Sequence, residues 1–237
     1  ELGSDLEGHP TPRLSFADVA TGSLGQGLSV GVGMALCARL DNLDYNTFVL
    51  LGDGECAEGS VWEAASLAGI YQLNNLTAIV DVNRLGQSQP TAFGHDLEVY
   101  RKRFEAFGWR TEVVDGHDME EIVEVLAAVG LGRQPLAIIA KTLKGAGISF
   151  IEDKEGWHGK ALSKDEAGKA ISEIQPKAKS GLGVPIPAPN QLPLPKNEAP
   201  AGYPPTTYKL GDMVATREAY GNALVRIGEV DERIVAM

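Results

Sequence analysis

Residues 47–83, TFVLLGDGECAEGSVWEAASLAGIYQLNNLTAIVDVN, contain the pattern that decides the fold of this chain. A short apolar run, residues 47–51, stops at Gly52, and a second apolar run covers residues 76–82. Between them, residues 59–72 have the apolar spacing of a helix. The positions on its apolar face are Val61, Ala64, Ala65, Ala68 and Tyr71. Strand, helix and strand in this order predict one unit of a parallel sheet.

The same alternation continues on both sides of this stretch. Before it, residues 27–40 form a Gly-rich predicted helix. After it, predicted helices at 97–107 and 118–126 alternate with predicted strands at 109–114 and 135–140. Because the strands are continuously apolar, they suit a sheet that is covered on both faces. We therefore expect an α/β fold, with a doubly wound, mostly parallel sheet and helices on both faces.

Composition divides the chain into three regions. Ser163 and Glu166 resemble a capping box, which opens one more helix. Residues 176–205 then hold nine of the 13 prolines, which predicts an extended linker. Beyond it, residues 215–230 are helix-like and residues 232–236 are strand-like. We expect an α/β domain at 1–175, a Pro-rich linker at 176–213 and the truncated start of a second α/β domain at 214–237.

The overall composition restricts the possible partners. The 237 residues are 43% apolar and 22% charged, with a formal net charge of −11 and a pI of about 4.8. This acidity argues against nucleic acid or an anionic membrane as partner. No apolar run reaches the roughly 18 residues that span a bilayer, and no signal peptide follows Glu1. The two cysteines, Cys37 and Cys56, are expected to be reduced, which favours a cytoplasmic protein.

Chemically capable side chains follow every predicted strand. In an open parallel sheet, ligands bind beyond the carboxyl ends of the strands. We therefore expect one site at that edge, where a carboxylate, an amide, glycines and lysines gather. The strands deliver, in chain order, Gly52-Asp53-Gly54; Asp81 and Asn83; Asp115-Gly116-His117; Lys141 and Lys144.

Asp53 and Asn83 form the most informative combination. They are 83 − 53 = 30 residues apart, which is one strand–helix–strand unit. Carboxylate, amide and backbone carbonyl oxygens suit Mg²⁺, which often completes its coordination with phosphates. Gly54 would let the backbone turn sharply and approach a phosphate, and Lys144 could add charge to a diphosphate. Gly-Asp-Gly alone is usually a structural turn, but the Asn thirty residues later favours a metal–diphosphate site.

Weaker signals lie in three loops. Residues 22–27, GSLGQG, open a helix whose backbone amides could hold an anion. No strand precedes them, as a dinucleotide-binding motif would require. His9 and His158 lie in irregular loops, where functional residues concentrate. His95 and His117 are expected to be surface or core residues.

Several longer runs resemble transketolase, and they cover essentially the whole chain. The runs NRLGQS (83–88) and ATREAYG (215–221) are similar to the animal-type enzymes rather than to those of yeast or plants. The other matching runs are DLEGHP (5–10), ATGSLGQG (20–27), LGDGE (51–55), EGSVWEA (58–64), DGH (115–117), AKTLKG (140–145) and WHGK (157–160).

The resemblance implies thiamine diphosphate and Mg²⁺ as cofactors, and Ca²⁺ or Mn²⁺ could replace Mg²⁺. By this resemblance, Asp53, Asn83 and the carbonyl of Leu85 would hold the metal against the diphosphate. Gly54 would contact the diphosphate through its backbone. The positions expected beside the aminopyrimidine ring are Gly22, Ser23, Leu24 and Gln87.

The same resemblance implies transfer of a two-carbon ketol unit from a ketose phosphate to an aldose phosphate, as in the pentose phosphate pathway. His158, Lys144 and Lys160 would lie over the diphosphate and the reacting centre. His9 would bind the donor ketose and assist proton transfer. Glu58 would lie at the subunit interface of a homodimer.

Alternatives remain at this level. The family's cofactor-activating glutamate and substrate-binding arginines would lie beyond Met237, so this chain alone is expected to bind cofactor weakly and to be inactive. A non-catalytic, transketolase-like binding or regulatory protein is one alternative, and a deoxyxylulose-phosphate synthase is another. Gly8-His9-Pro10 and Trp157-His158-Gly159-Lys160 disfavour a 2-oxo-acid dehydrogenase subunit.

Overall fold

The computed structural model describes residues 8–14, 17–175 and 202–235. The chain forms two compact units, residues 1–183 and residues 184–237. The elements of the first unit are α1 (Gln26–Leu40), β1 (Thr47–Gly52), α2 (Gly59–Ile70), β2 (Leu76–Val82), α3 (Leu97–Ala106), β3 (Arg110–Asp115), α4 (Met119–Leu126), β4 (Leu136–Lys141) and α5 (Lys164–Ile174). The second unit contains α6 (Thr216–Gly228).

The four strands form one parallel sheet in the order β1-β2-β4-β3. Gly52 at the end of β1 is in register with Asp81 of β2. Val82, near the same edge, is in register with Lys141 at the end of β4. The predicted parallel α/β sheet is confirmed, and the residues after β1, β2 and β4 emerge side by side.

Helices cover the two faces unequally. α1, α2 and α3 pack on one face, where the larger core cluster lies. α4 packs on the other face, over β3 and β4. Within the described part of the chain, the β1 end of that second face is open, because Phe48 is 53% exposed and Leu50 is 71% exposed. Helices therefore lie on both faces of the sheet, as expected, although this end of the second face is exposed in the described part of the chain.

α2 is buried on two sides. Val61, Ala64, Ala65 and Ala68 face the core. On another side, the Trp62 ring lies 5.3 Å from Phe104 of α3, centroid to centroid. Tyr71 is the exception to the predicted face, because α2 ends at Ile70 and Tyr71 is 43% exposed.

The helices α5 and α4 begin with different caps. Ser163 and Glu166 form the complete reciprocal box at the start of α5. Asp118 caps α4 by accepting hydrogen bonds from the backbone amides of Glu120 and Glu121. The Glu121 carboxylate instead accepts from the backbone N–H of Asp115 at 2.8 Å. The box at α4 is therefore only half formed, because Glu121 secures the end of β3.

The second unit follows the sequence only partly. α6 begins one residue after Ala215, its N-cap, and confirms the predicted helix. The strand predicted at 232–236 is wrong for residues 232–235, which form a turn in which Arg233 bonds the Asp231 carboxylate. Residues 202–213 contain no helix or strand. The rest of the predicted linker, residues 176–201, lies outside the described residues, as does residue 236. None of the described helices is long and apolar enough to cross a bilayer.

Candidate active site

Asp53 directly follows β1 and is only 5% exposed. One carboxylate oxygen, Oδ1, accepts from the backbone N–H of Gly54 at 2.8 Å. The other, Oδ2, accepts from the N–H of Arg84 at 2.7 Å and from the hydroxyl of Thr91 at 3.1 Å. All three donors are neutral groups. Among the described residues, no lysine, arginine or histidine forms an ion pair with Asp53.

Burial raises the pKa of Asp53 above its usual value. The hydrogen bonds from Arg84, Gly54 and Thr91 oppose that rise, and the nearby Asp81 carboxylate adds to it. A buried carboxylate without a cationic partner is costly to keep ionised. A bound cation would remove that cost, so the surroundings of Asp53 suit a metal ion.

Asn83 lies at the end of the neighbouring strand and is 9% exposed. Its amide oxygen Oδ1 accepts from the backbone N–H of Leu85 at 3.1 Å. Its amide nitrogen Nδ2 donates to Oδ2 of Asp81 at 3.0 Å. Oδ1 keeps a second lone pair, which is available to a metal ion.

A tight hairpin follows Asn83 and shapes the site. The backbone N–H of Thr91 donates to the carbonyl of Arg84 at 2.8 Å. Within the hairpin, Gly86 donates to Gln89 at 2.9 Å, and Leu85 pairs with Pro90. Arg84 has a left-handed backbone with φ +64°, which starts the reversal. The hairpin brings the Thr91 hydroxyl back to Asp53.

Lys144 reaches this hairpin from the loop that follows β4. Its ammonium Nζ donates to the Leu85 carbonyl oxygen at 2.9 Å and lies 3.3 Å from Nδ1 of His158. The same loop is held by an ion pair between Arg84 and Asp153, with Nε and Oδ1 at 2.6 Å. A positive charge therefore lies beside the carbonyl that the resemblance assigns to the metal.

Glu55 joins the loop before α1 to the end of β1. Its Oε1 accepts from the backbone N–H of Gly25 at 2.9 Å, and its Oε2 accepts from Gly52 at 3.1 Å. The His9 ring lies against Gly22, where an added Cβ would be 3.3 Å from the ring. The loop of residues 22–25 is thus placed at the same edge as Asp53.

One cavity of about 670 Å³ lies between these loops and strand ends. Three predicted site residues are absent from its lining. Ser23 and Glu58 are exposed, and Lys160 places its ammonium 4.2 Å from the centre of the Trp157 ring. The predicted residues that do line it are His9, Gly22, Leu24, Asp53, Gly54, Asn83, Leu85, Gln87, Lys144 and His158.

The oxygen donors in the cavity lining have the chemistry that a hard divalent cation requires. The oxygens of Asp53, Asn83 and Leu85 are hard ligands of the kind Mg²⁺ prefers. No group of three or more His, Cys, Asp or Glu side chains in the described ranges could hold a metal ion. An added Cβ at Gly54 would meet only the Thr91 methyl, at the ordinary contact distance of 3.6 Å. The backbone turns at Asp53 and Gly54, as expected, but the φ of −64° at Gly54 is one that any residue adopts.

Sequence reasoning assigned no role to several residues that organise the site. Asp81 could have been recognised from the sequence, because it is a charged residue inside a predicted buried strand. Thr91 had none, because its contact with Asp53 depends on the hairpin. His95 and His117 were expected to be surface or core residues, yet they hold the start of the Lys144 loop. Nε2 of His95 lies 3.0 Å from the Thr142 carbonyl, and Nε2 of His117 accepts from the N–H of Leu143 at 2.8 Å.

Comparison with known proteins gives a consistent result. Residues 1–185 match the family model described as "Transketolase, thiamine diphosphate binding domain". The chain is 49% identical over 240 residues to transketolase of Mus musculus, and 50% identical over 246 residues to transketolase-like protein 2 of Bos taurus. These alignments cover 100% and 98% of the chain. The chain spans 38% of the length of both relatives.

Solved structures show the same relationship. A transketolase structure from Campylobacter jejuni has a TM-score of 0.68 and 33% identity, over 74% of this chain and 29% of that one. Transketolase of Pichia stipitis in complex with sedoheptulose-7-phosphate has a TM-score of 0.66 and 32% identity, over 74% and 28%. The mammalian relatives are thus more similar in sequence than these microbial ones, as the animal-type runs predict.

Proposed function

This chain belongs to the transketolase family, and we propose that its cavity is the cofactor-binding half of a transketolase active site. In this proposal, thiamine diphosphate and Mg²⁺ bind at the carboxyl edge of the sheet. The complete protein then transfers a two-carbon ketol unit from a ketose phosphate to an aldose phosphate, a reaction of the pentose phosphate pathway.

One observation supports this proposal above the others. The Asp53 carboxylate is buried, receives hydrogen bonds only from neutral donors and lines the same cavity as Asn83 and Leu85. Such a cluster has unused capacity for a hard divalent cation. Gly54 is exposed and lines the same cavity, so a diphosphate could approach its backbone.

The described residues have distinct roles in this proposal. Asp53, Asn83 and the Leu85 carbonyl hold the metal, and Lys144 neutralises part of the diphosphate charge. Bound thiamine diphosphate supplies electron withdrawal from a carbon–carbon bond beside the ketose carbonyl. His9 and His158, exposed at the cavity, orient the sugar and move protons at its hydroxyl groups.

Several further roles are proposed for positions around this core. Gly22, Leu24 and Gln87 line the cavity and would face the aminopyrimidine ring, with Ser23 in the same loop. Glu58, exposed at the start of α2, would lie at the interface of a homodimer. We also propose that Lys160 approaches the substrate and that the protein works in the cytoplasm.

The substrates are proposed to be sugar phosphates. The Pichia stipitis relatives were solved in complexes with sedoheptulose-7-phosphate, fructose-6-phosphate and xylulose-5-phosphate. The chain covers only 27–29% of the solved chains in which it has a TM-score above 0.6. We therefore propose that turnover requires parts of the complete protein beyond this chain.

Calorimetry on the full-length protein tests the proposal. Thiamine diphosphate should bind in a Mg²⁺-dependent manner, and the loaded protein should transfer a ketol unit between sugar phosphates. Binding that ignores Mg²⁺ would reject the metal site. Metal-dependent binding without any ketol transfer would favour the alternative of a transketolase-like binding or regulatory protein.

A further inference from the structure

We propose that Asp81 is a positioning residue, which fixes the orientation of the Asn83 amide and ties it to the loop that carries Lys144. This inference rests on the proposed metal site. Asp81 is the sixth of the seven residues of β2, and its side chain is half-buried at the edge of the cavity.

The orientation of the Asn83 amide follows from its two neighbours. The backbone N–H of Leu85 can only donate, so it requires the amide oxygen at 3.1 Å. On the other side, Oδ2 of Asp81 accepts from the amide nitrogen at 3.0 Å. If the amide were flipped, its NH₂ group would face the Leu85 N–H and its oxygen would face the Asp81 carboxylate. Neither pair could form a hydrogen bond. Asp81 thereby keeps the oxygen of Asn83 on the side where a metal ion would bind.

Asp81 also holds the chain that leads to Lys144. Its second oxygen, Oδ1, accepts a short hydrogen bond from the hydroxyl of Thr142. Thr142 immediately follows β4, and Lys144 is two residues further on. Oδ1 and Oδ2 are therefore both engaged, one by the lysine loop and one by a proposed metal ligand.

This arrangement makes Asp81 an outer partner of the metal rather than a ligand. Groups that orient metal ligands typically change metal affinity about 10- to 100-fold when they are removed. Asp81→Leu removes both accepting carboxylate oxygens while keeping a side chain of similar size. Asp81→Asn removes the charge but keeps one accepting oxygen, so it should preserve part of the positioning.

The test measures Mn²⁺ binding to the full-length protein in the presence of thiamine diphosphate. The electron paramagnetic resonance signal of free Mn²⁺ reports how much of the metal remains unbound. We expect Asp81→Leu to weaken Mn²⁺ binding at least tenfold, Asp81→Asn less than about fivefold, and Asp53→Asn most of all. Asp44→Leu, at an exposed aspartate away from the cavity, is the matched control and should bind as wild type does.

Two results would overturn the inference. Wild-type affinity in Asp81→Leu would show that Asp81 positions nothing. Equal losses in Asp81→Asn and Asp53→Asn would show that Asp81 is itself a ligand. With either result, the proposed function survives as long as the wild type binds Mn²⁺ and Asp53→Asn weakens that binding. A wild-type protein that binds no Mn²⁺ would overturn both proposals.

A second variant covers the possibility that Asp81→Leu fails to fold. Thr142→Val removes the hydroxyl that bonds Asp81, and the valine side chain is close to threonine in size. We expect a loss of Mn²⁺ affinity of about threefold to tenfold, since one hydrogen bond to a charged group is lost. Thr142→Ser restores the hydroxyl and should restore the affinity. A valine variant with wild-type Mn²⁺ affinity would contradict the proposed link.

Discussion

Two Asp-Gly pairs follow strands at the same edge of the sheet, yet their surroundings are opposite. Asp53-Gly54 comes after β1, and Asp115-Gly116 comes at the end of β3. Asp53 is buried and belongs to the cavity. Asp115 is exposed, and one of its oxygens accepts from the backbone N–H of His117 at 2.9 Å. The same dipeptide at the same edge thus forms a buried carboxylate in the cavity in one place and an exposed turn in the other.

The glycines of the two pairs differ in the opposite direction from the aspartates, because Gly116 is tightly packed and Gly54 is not. An added Cβ at Gly116 would collide with the Thr142 methyl and lie 2.9 Å from the Lys141 carbonyl oxygen. An added Cβ at Gly54 would meet only ordinary contacts. Packing therefore requires the glycine of the surface turn, whereas Gly54 leaves space that the proposed ligand would use.

The largest expected effect comes from neutralising the two aspartates separately. Asp53→Asn should weaken Mg²⁺-dependent binding of thiamine diphosphate at least about 100-fold, because a buried ligand charge is lost. Asp115→Asn should change it less than about twofold, because Asp115 is outside the cavity. Calorimetry on the full-length protein measures both. Equal losses would mean that the difference in burial does not separate the two sites.

Two lysines, one at the end of β4 and one in the loop after it, allow the same comparison with positive charges. Lys144→Met should weaken diphosphate binding roughly 10- to 100-fold, since a charge-assisted bond is worth about 1.5–3 kcal/mol. Lys141→Met removes the same charge from an exposed position at the strand end and should have little effect. Titration with inorganic diphosphate and Mg²⁺ measures the difference. A larger loss from Lys141→Met would place the anion elsewhere on this edge.

The two glycines should separate binding from stability. Gly116→Ala should lower the free energy of unfolding by about 1–3 kcal/mol through overpacking, measured by urea denaturation. Gly54→Ala should leave stability nearly unchanged but weaken thiamine diphosphate about tenfold by filling the space beside Asp53. If Gly54→Ala binds normally, the open space there does not hold the diphosphate.

The site was predictable where it depends on strand ends. Apolar runs define β1, β2 and β4, and a parallel sheet brings their carboxyl ends to one edge. Asp53, Asn83 and Lys144 therefore follow from the pattern, and the cavity contains all three. The register between Gly52 and Asp81 is the physical reason, because it brings the residues after β1 and β2 to the same level of the sheet edge.

Other parts depend on contacts that no local pattern encodes. Thr91 reaches Asp53 only because a hairpin returns the chain over eight residues, from Arg84 to Thr91. Glu121 resembles half of a capping box but bonds the end of β3 instead. The strand-like apolar residues near the end of the chain form a turn, since Asp231 and Arg233 pair with each other. Tertiary or side-chain contacts override the local signal in each case.

Thr91 gives the smallest expected effect and the closest test of what makes Asp53 different. Thr91→Val removes one of the three donors that hold the Asp53 carboxylate while preserving the size of the side chain. We expect metal affinity to fall about threefold to tenfold, because a hydrogen bond to a charged group is lost and the carboxylate is less well oriented.

Thr111→Val is the matched control, because its hydroxyl bonds the exposed Glu105 carboxylate on the β3 side of the sheet at 2.9 Å. It should leave Mn²⁺ affinity unchanged, although both variants lose one hydroxyl-to-carboxylate bond. An equal effect from both would show that the loss is a general consequence of removing such a bond. A selective effect from Thr91 would show that the donors around a buried carboxylate, rather than the Asp-Gly motif itself, make this strand end competent to bind metal.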